Sequence, residues 1–299
     1  MKTNIMAAFA PDVITQLGPI PITNTLLHTL TVDAVLVVLA IYVSKNITKI
    51  PKGVQNIMEP VIEGMYNLTE SIATSKNATT RIFPFIMTFF LFIFTANFTG
   101  LLPGVGTIGF FEEGAAHSQV INKAHATESA APKEESNHDA PATTEKTAEH
   151  ETKAETTEAT LVPLFRGATS DINVTLALAI VSVVATHMLS IQVTGIKDYL
   201  GRYFSLNPIN LYVGLLELVA EVTKIISLSF RLFGNIFAGE IALHTISKLV
   251  AFIAPLPFLL LESIVSVVQA LVFSVLTLVF MAVLTTPHHH SETGEVSHG

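Results

Sequence analysis

Five apolar runs dominate this chain and leave few ways for it to fold. They lie at about Leu26–Val43, Ile82–Leu102, Ile172–Val193, Ile209–Val250 and Phe258–Thr285. Each approaches or exceeds the roughly 20 residues that cross a hydrocarbon core. In lipid, only helices and closed barrels satisfy every backbone N–H and C=O. Runs this long, without strict polar–apolar alternation, predict helices. Only 13% of the 299 residues are charged, against about 25% in soluble domains. The expected fold is an all-α integral membrane protein with about five transmembrane helices. The fourth run exceeds one upright crossing at ~1.5 Å per residue, so it must tilt, bend or be covered in part by protein. APLPF (Ala254–Phe258) carries two prolines that force a tight break. The last two spans therefore form a long helical hairpin, tilted or parallel to the membrane. Asn207 and Pro208 look like the start of its first helix.

The runs divide the chain. Residues 1–111 hold the first two spans, 112–160 form a loop, 161–286 form a helical core and 287–299 are a tail. The stretch from Glu112 to Thr160 is rich in Ala, Thr, Glu, Lys and His and has no aromatic residue. Such a composition cannot bury a core, and a disordered acidic tether is expected. Much of the net charge of −8 sits there. Lys45, Lys49, Lys52, Lys76 and Arg81 follow the first span, and Lys197 and Arg202 follow the third. By the positive-inside rule those loops are cytoplasmic. The amino terminus, the acidic loop and the APLP turn are then outside, and the carboxy terminus inside. The opening residues lack the pattern of a cleaved signal peptide. The absence of cysteine excludes disulfides and thiol chemistry. No basic patch with interleaved aromatics points to nucleic acid. His288, His289 and His290 read as a tail rather than a metal site, and no metal or other cofactor is expected.

One charge stands out. Arg231 lies in SLSFRLFGNIFAGE, inside the fourth apolar run. Arginine at the centre of a membrane helix costs ~2.5–3.5 kcal/mol on insertion scales. Its guanidinium cannot shed a proton to escape that cost. An intramembrane charge of this kind points to an ion pathway. At about 100° per residue, Glu217, Glu221, Lys224, Arg231 and Asn235 share one face. Glu240, His244 and Lys248 share the opposite face, nearer the outer end. Two polar faces at different depths suggest two aqueous cavities that do not overlap. The bland alternative for Glu221 and Lys224 is a snorkelling, salt-bridged face; Lys248 reads as an interfacial anchor, and Ser227 and Ser229 as packing residues. In the fifth run, Glu262, Ser266 and Gln269 stack on one face. In an antiparallel hairpin Glu262 lies level with Glu240 or His244. Gln269 lies level with Arg231 or Asn235, where it is expected to orient the guanidinium.

Several of these segments resemble subunit a of the rotary, F-type ATP synthase, in a bacterial-like form. The resemblance rests on SLSFRLFGNIFAGEI (Ser227–Ile241) followed by VVQALVFSVLTLVF (Val267–Phe280). GPIPITNTLL (Gly18–Leu27), ANFTGLLPG (Ala96–Gly104) and SDINVTLALA (Ser170–Ala179) extend it over nearly the whole chain apart from the acidic loop. It implies a stator in the cell inner membrane, with two offset half-channels that carry protons to and from rotor carboxylates. The partners it implies are the ring of c subunits, the peripheral-stalk b subunits, the remaining ATP synthase subunits and membrane lipid. It implies that Arg231 faces the rotor carboxylate, with Asn235 and Gln269 as polar neighbours. It implies further that Glu217 serves the cytoplasmic half-channel, and that Glu240 and Glu262 serve the outer one. Asp171, Asn173 and Thr175 would help form the outer access path. Relatives carry one glutamate and one histidine at the paired outer positions, whereas this chain carries two glutamates, with His244 one turn beyond Glu240.

The resemblance implies no enzyme and no nucleotide site, and the chain has no GxxxxGK[ST] loop. A secondary ion transporter or channel is the main alternative, but it predicts paired, repeated broken helices, and SFRLFGN occurs once. An intramembrane metallohydrolase needs a close histidine pair, which His187 and His244 do not form. A purely structural subunit leaves Arg231 unexplained. Two nearby carboxylates do not both ionise easily, so Glu240, His244 and Glu262 are expected to titrate as one unit. Replacing His244 should shift the pH profile of proton pumping; an unchanged profile would separate it from the pair.

Overall fold

The computed structural model describes residues 13–17, 20–73, 75–102, 105, 108–112, 160–196, 199–200, 208–249, 253 and 255–285. The acidic stretch beyond Glu112, Asn207 and the histidine-bearing tail lie outside the described residues, as do the side chains of His244 and Lys248. Six long helices make up the body: α1 (Asn24–Lys45), α2 (Val54–Ile72), α3 (Lys76–Gly100), α4 (Ile172–Thr194), α5 (Pro208–Leu249) and α6 (Pro255–Thr285). Helices α1, α3, α4 and α6 are each long and apolar enough to cross a membrane. Helix α5 is the long fourth run, one unbroken helix of 42 residues. It starts at Pro208, where the missing N–H is harmless and φ is already helical. Helix α6 starts at Pro255 and takes both prolines of APLPF into its first turn.

The apolar surface is that of a chain meant for lipid. Val35, Val37, Val38, Ile41 and Tyr42 all stand exposed along α1. In water a stripe this large would drive aggregation; among lipid tails it is in its own solvent. The core is narrower. Ile82, Ile86, Phe89 and Ile93 recur at spacings of four and three on α3, and all are buried. They meet Phe273, Leu278 and Met281 of α6, with the Phe89 and Phe273 rings 5.8 Å apart. Lipid supplies no hydrophobic drive between helices, so small polar groups add specificity. Ser182 of α4 bonds Thr277 of α6 at 2.8 Å. Ser190 donates to the Leu284 carbonyl at 2.8 Å. Thr175 meets Ser229 of α5 at 3.2 Å.

Two features depart from the sequence expectation. Helix α2 fills what reads as a basic loop. Val61, Met65, Leu68 and Ile72 lie on one helical face and pack on the main core, while Glu59, Glu63 and Glu70 are exposed. An amphipathic helix of this kind escapes a search for continuous apolar runs. Short strands also occur. Strand β1 (Val13–Leu17) pairs antiparallel with β2 (Ile20–Thr23) just before α1. Strand β3 (Gly109–Glu112) pairs antiparallel with β4 (Thr160–Pro163) in a separate unit, Gly109–Pro163, bringing together the two ends of the acidic stretch.

Three helix starts are capped by side chains. Thr23 caps α1 through Leu26 N, and Ser75 caps α3 through Ala78 N. Asp171 caps α4: its Oδ1 accepts from Asn173 N at 2.9 Å, and its Oδ2 accepts from the Thr25 hydroxyl at 2.8 Å. Asp171→Ala should cost about 0.5–2 kcal/mol for the cap. Asp171→Asn, which can still cap, should cost less. Thermal unfolding of both variants in detergent checks this; equal losses would show that capping is not what Asp171 supplies to stability.

Candidate functional site

Helix α5 carries the polar stripe past α4 and α6. Toward its amino-terminal half Glu217 is half-buried. Glu221 is buried and accepts from Lys224 Nζ at 2.7 Å. The second Glu221 oxygen lies 3.5 Å from His187 Nε2 of α4, and His187 Nδ1 lies 3.0 Å from the Tyr199 hydroxyl. Glu221 and Lys224 are thus salt-bridged, as the bland reading has it. Yet Glu221 is 6% exposed, so it does not snorkel. Seven residues beyond Lys224, or two turns, is Arg231.

Arg231 is exposed, and among the described residues nothing bonds or pairs with it. Its flanks Ile226 and Phe230 are exposed as well. One turn on, Asn235 Nδ2 donates to Gln269 Oε1 at 2.6 Å. This corrects the expected role of Gln269. Its carbonyl oxygen is spent on Asn235 and does not orient the guanidinium. Gln269 Nε2 is buried without a partner. The bond therefore braces α5 against α6 beside Arg231 and leaves the cation unclaimed.

Toward the other end of α5, the two glutamates come together. Glu262 of α6 is buried, and a Cβ placed on Gly239 would overlap its carboxylate. The Glu262 carboxylate lies against Gly239, where a larger residue would displace it, and the charge of Glu240 acts on it electrostatically. Glu262 Oε1 has no hydrogen-bond partner. Glu240 is exposed, and Arg166 Nε lies 3.8 Å from its Oε1. Arg166 sits in the segment leading to a short 3-10 turn, Ala168–Ser170. Its carbonyl accepts from His28 Nδ1 of α1 at 2.7 Å, and His28 Nε2 bonds the Thr99 hydroxyl of α3 at 3.0 Å.

The three outer residues differ in placement. Asp171 is buried, with both oxygens in use at the cap and at Thr25. Thr175 is buried against Ser229, and Asn173 is exposed. The sequence reading missed Arg166, His28 and Tyr199 altogether, and weighed His187 only as a metal ligand. Isolated histidines inside apolar spans were the available signal for His28 and His187. Nothing local marks Arg166, whose partner lies far along the chain. Among the described residues no cluster could hold a metal ion.

Membrane-length helices beside a long helix that carries carboxylates, an ion pair and an exposed, unclaimed guanidinium fit an ion-handling membrane protein. The sequence profile of the family described as ATP synthase A chain matches residues 26–282. Relatives include ATP synthase subunit a of Moorella thermoacetica, 24% identical over 93% of this chain and 97% of that protein. The Trichlorobacter lovleyi subunit a is 27% identical over 86% of this chain and 85% of its own length. That of Campylobacter jejuni subsp. doylei is 26% identical over 84% and 85%. The chain belongs to the ATP synthase A chain family, and is a proton-translocating stator subunit of the membrane sector, a multi-pass component rather than an enzyme in itself.

Gly239 offers a clean test of the glutamate pair. Gly239→Ala should push the Glu262 carboxylate away from Glu240 and slow ATP-driven proton pumping about tenfold in assembled complexes. Pumping equal to the parent would show that the close packing on Gly239 is dispensable.

Proposed function

We propose that this subunit carries protons to and from carboxylates on a ring of c subunits, through two offset half-channels that meet beside Arg231. The observation that carries the reading is Arg231 itself: exposed, in an apolar setting, and without an internal partner among the described residues. A permanent cation so placed asks for an anion from outside the chain. A rotor carboxylate that arrives charged is held there by Coulomb attraction at reduced dielectric. One that arrives protonated is not. The same fixed charge repels a proton that would cross directly between the half-channels. Because no glutamate among the described residues satisfies Arg231, the pairing with the rotor stays transient, and the rotor does not stall.

The spacing along α5 supports the offset. Glu217 lies about 21 Å before Arg231, and Glu240 about 13 Å after it, at 1.5 Å per residue. Glu217 serves the cytoplasmic side. Glu240, Glu262 and His244 serve the outer side, with Asp171, Asn173 and Thr175 toward the outer access path. Asn235 and Gln269 hold the hairpin at the level of the arginine. The driving force is ~2.3 kcal/mol per charge per 100 mV. The amino terminus faces outward and the carboxy terminus the cytoplasm, in a cell inner membrane. Peripheral-stalk b subunits hold the stator against the torque, and nucleotide chemistry belongs to other subunits of the complex.

The deciding experiment is ATP-driven proton pumping in vesicles, comparing the parent complex with Arg231→Ala. Loss of pumping with assembly intact is the expected result. Full pumping by the variant would return Arg231 to a structural role.

A further inference from the structure

We infer that proton access from the cytoplasmic side runs through a relay formed by Tyr199, His187 and Glu221, a route separate from Glu217 and resting on the stator reading above. Three observations converge on it. The first is continuity. The Tyr199 hydroxyl lies 3.0 Å from His187 Nδ1. His187 Nε2 lies 3.5 Å from Glu221 Oε2, and Lys224 Nζ lies 2.7 Å from Glu221 Oε1. The second is space. A cavity of about 310 Å³ is lined by Tyr199, His187 and Glu221 together with Leu211 and Leu218. Its wall is mostly apolar, and Tyr199, His187 and Glu221 supply the polar groups that waters there would bond. The third is direction. A second cavity, of about 450 Å³, is lined by Thr223, Lys224 and Ser227. Ser227 is one turn from Arg231. The Glu221–Lys224 pair therefore stands between a cavity at the Tyr199 end and one that leads toward the arginine.

The chemistry balances without a co-reactant. A hydronium ion in the cavity gives a proton to the Tyr199 oxygen, leaving water, as the tyrosine proton passes to His187 Nδ1. His187 Nε2–H then breaks as the proton moves to Glu221 Oε2. One proton has advanced, and His187 is left neutral with the proton on Nδ1. A half-turn of the ring about its Cβ–Cγ bond returns an N–H to the Glu221 side and a bare nitrogen to the Tyr199 side. Lys224 favours the ionised Glu221 and so keeps an acceptor ready. Among the described residues, the charged and titratable groups facing His187 are Tyr199, from the segment after α4, and Glu221 with its partner Lys224, from α5. Helix α6 presents the Phe280 ring, whose centroid lies 4.9 Å from Lys224 Nζ. A pairing made only to neutralise Glu221 would need Lys224 alone. Neither the second contact, to His187, nor the tyrosine behind it is required for neutrality.

The test is ATP-driven proton uptake by inverted vesicles holding the assembled complex, measured against the pH of the ATP-side medium. His187→Gln should slow pumping about tenfold or more, and should remove the pH dependence that the parent shows through the histidine range. Tyr199→Phe removes one oxygen and keeps the ring, so it covers the case in which His187→Gln fails to assemble; it should also slow pumping. Parent rates and parent pH profiles in both variants would overturn the relay. So would slower pumping with an unchanged pH profile, since that is what a packing role produces. Arg231→Ala is measured in the same vesicles. If it abolishes pumping while the relay variants behave as the parent, only the relay fails. If it pumps fully, the stator reading itself fails.

Discussion

A guanidinium in lipid has only three ways to be tolerated: water, an internal anion, or an anion brought by another molecule. Arg231 has no internal anion among the described residues, though carboxylates line the same helix in both directions. Helix geometry keeps them away. Lys224 is the nearest charged residue on its face, and that lysine already holds Glu221 at 2.7 Å. Glu240 lies nine residues on, on the far side of the helix, and pairs with Arg166. The negative charges closest to Arg231 along α5 are thus committed elsewhere. The rest of the structure depends on this allocation: had either glutamate reached Arg231, the cation would be neutralised and the site closed to an incoming carboxylate.

The scaffold enforces the allocation through contacts that tolerate little change. The Asn235–Gln269 bond fixes the register of α5 on α6 one turn from the arginine. The Glu262 carboxylate of α6 also lies against Gly239 of α5, in the place of the missing side chain. Hydroxyl pairs between α4 and its neighbours likewise fix register where lipid offers no hydrophobic discrimination. Helices α3 and α6 form the rigid part, with large apolar side chains buried between them. Helix α5 is the opposite: apolar residues along much of its length are exposed, leaving its Arg231 face open for a partner.

Hydropathy made the membrane helices legible, because each had to satisfy its own backbone over a bilayer's width. The start of α5 at Pro208 and the break at APLPF followed from proline alone. The nearness of Glu262 to Glu240 was legible too, since hairpin geometry puts the two outer ends level. Partners fixed by long-range contact were not. Gln269 could be placed level with Arg231 or Asn235, but the choice turns on less than one helical turn of register. The Glu240–Arg166 pair joins residues far apart in sequence. Helix α2 stayed hidden because its apolar residues form a stripe rather than a run. His187 was visible as an oddity in an apolar span, while Tyr199 acquires meaning only once the chain folds back.

The two glutamates at the outer end pose a problem that the surrounding residues address. Two carboxylates side by side repel unless a proton or a cation intervenes. Arg166 provides the cation on one flank only, 3.8 Å from Glu240. It is held there by backbone rather than by side chain, since His28 Nδ1 donates to its carbonyl. Glu262 sits on the other flank, buried against Gly239, with one oxygen unpartnered. The environment is therefore unequal for two chemically identical groups. One residue type, set in two surroundings, supplies the asymmetry here: a guanidinium beside Glu240 and a buried place for Glu262.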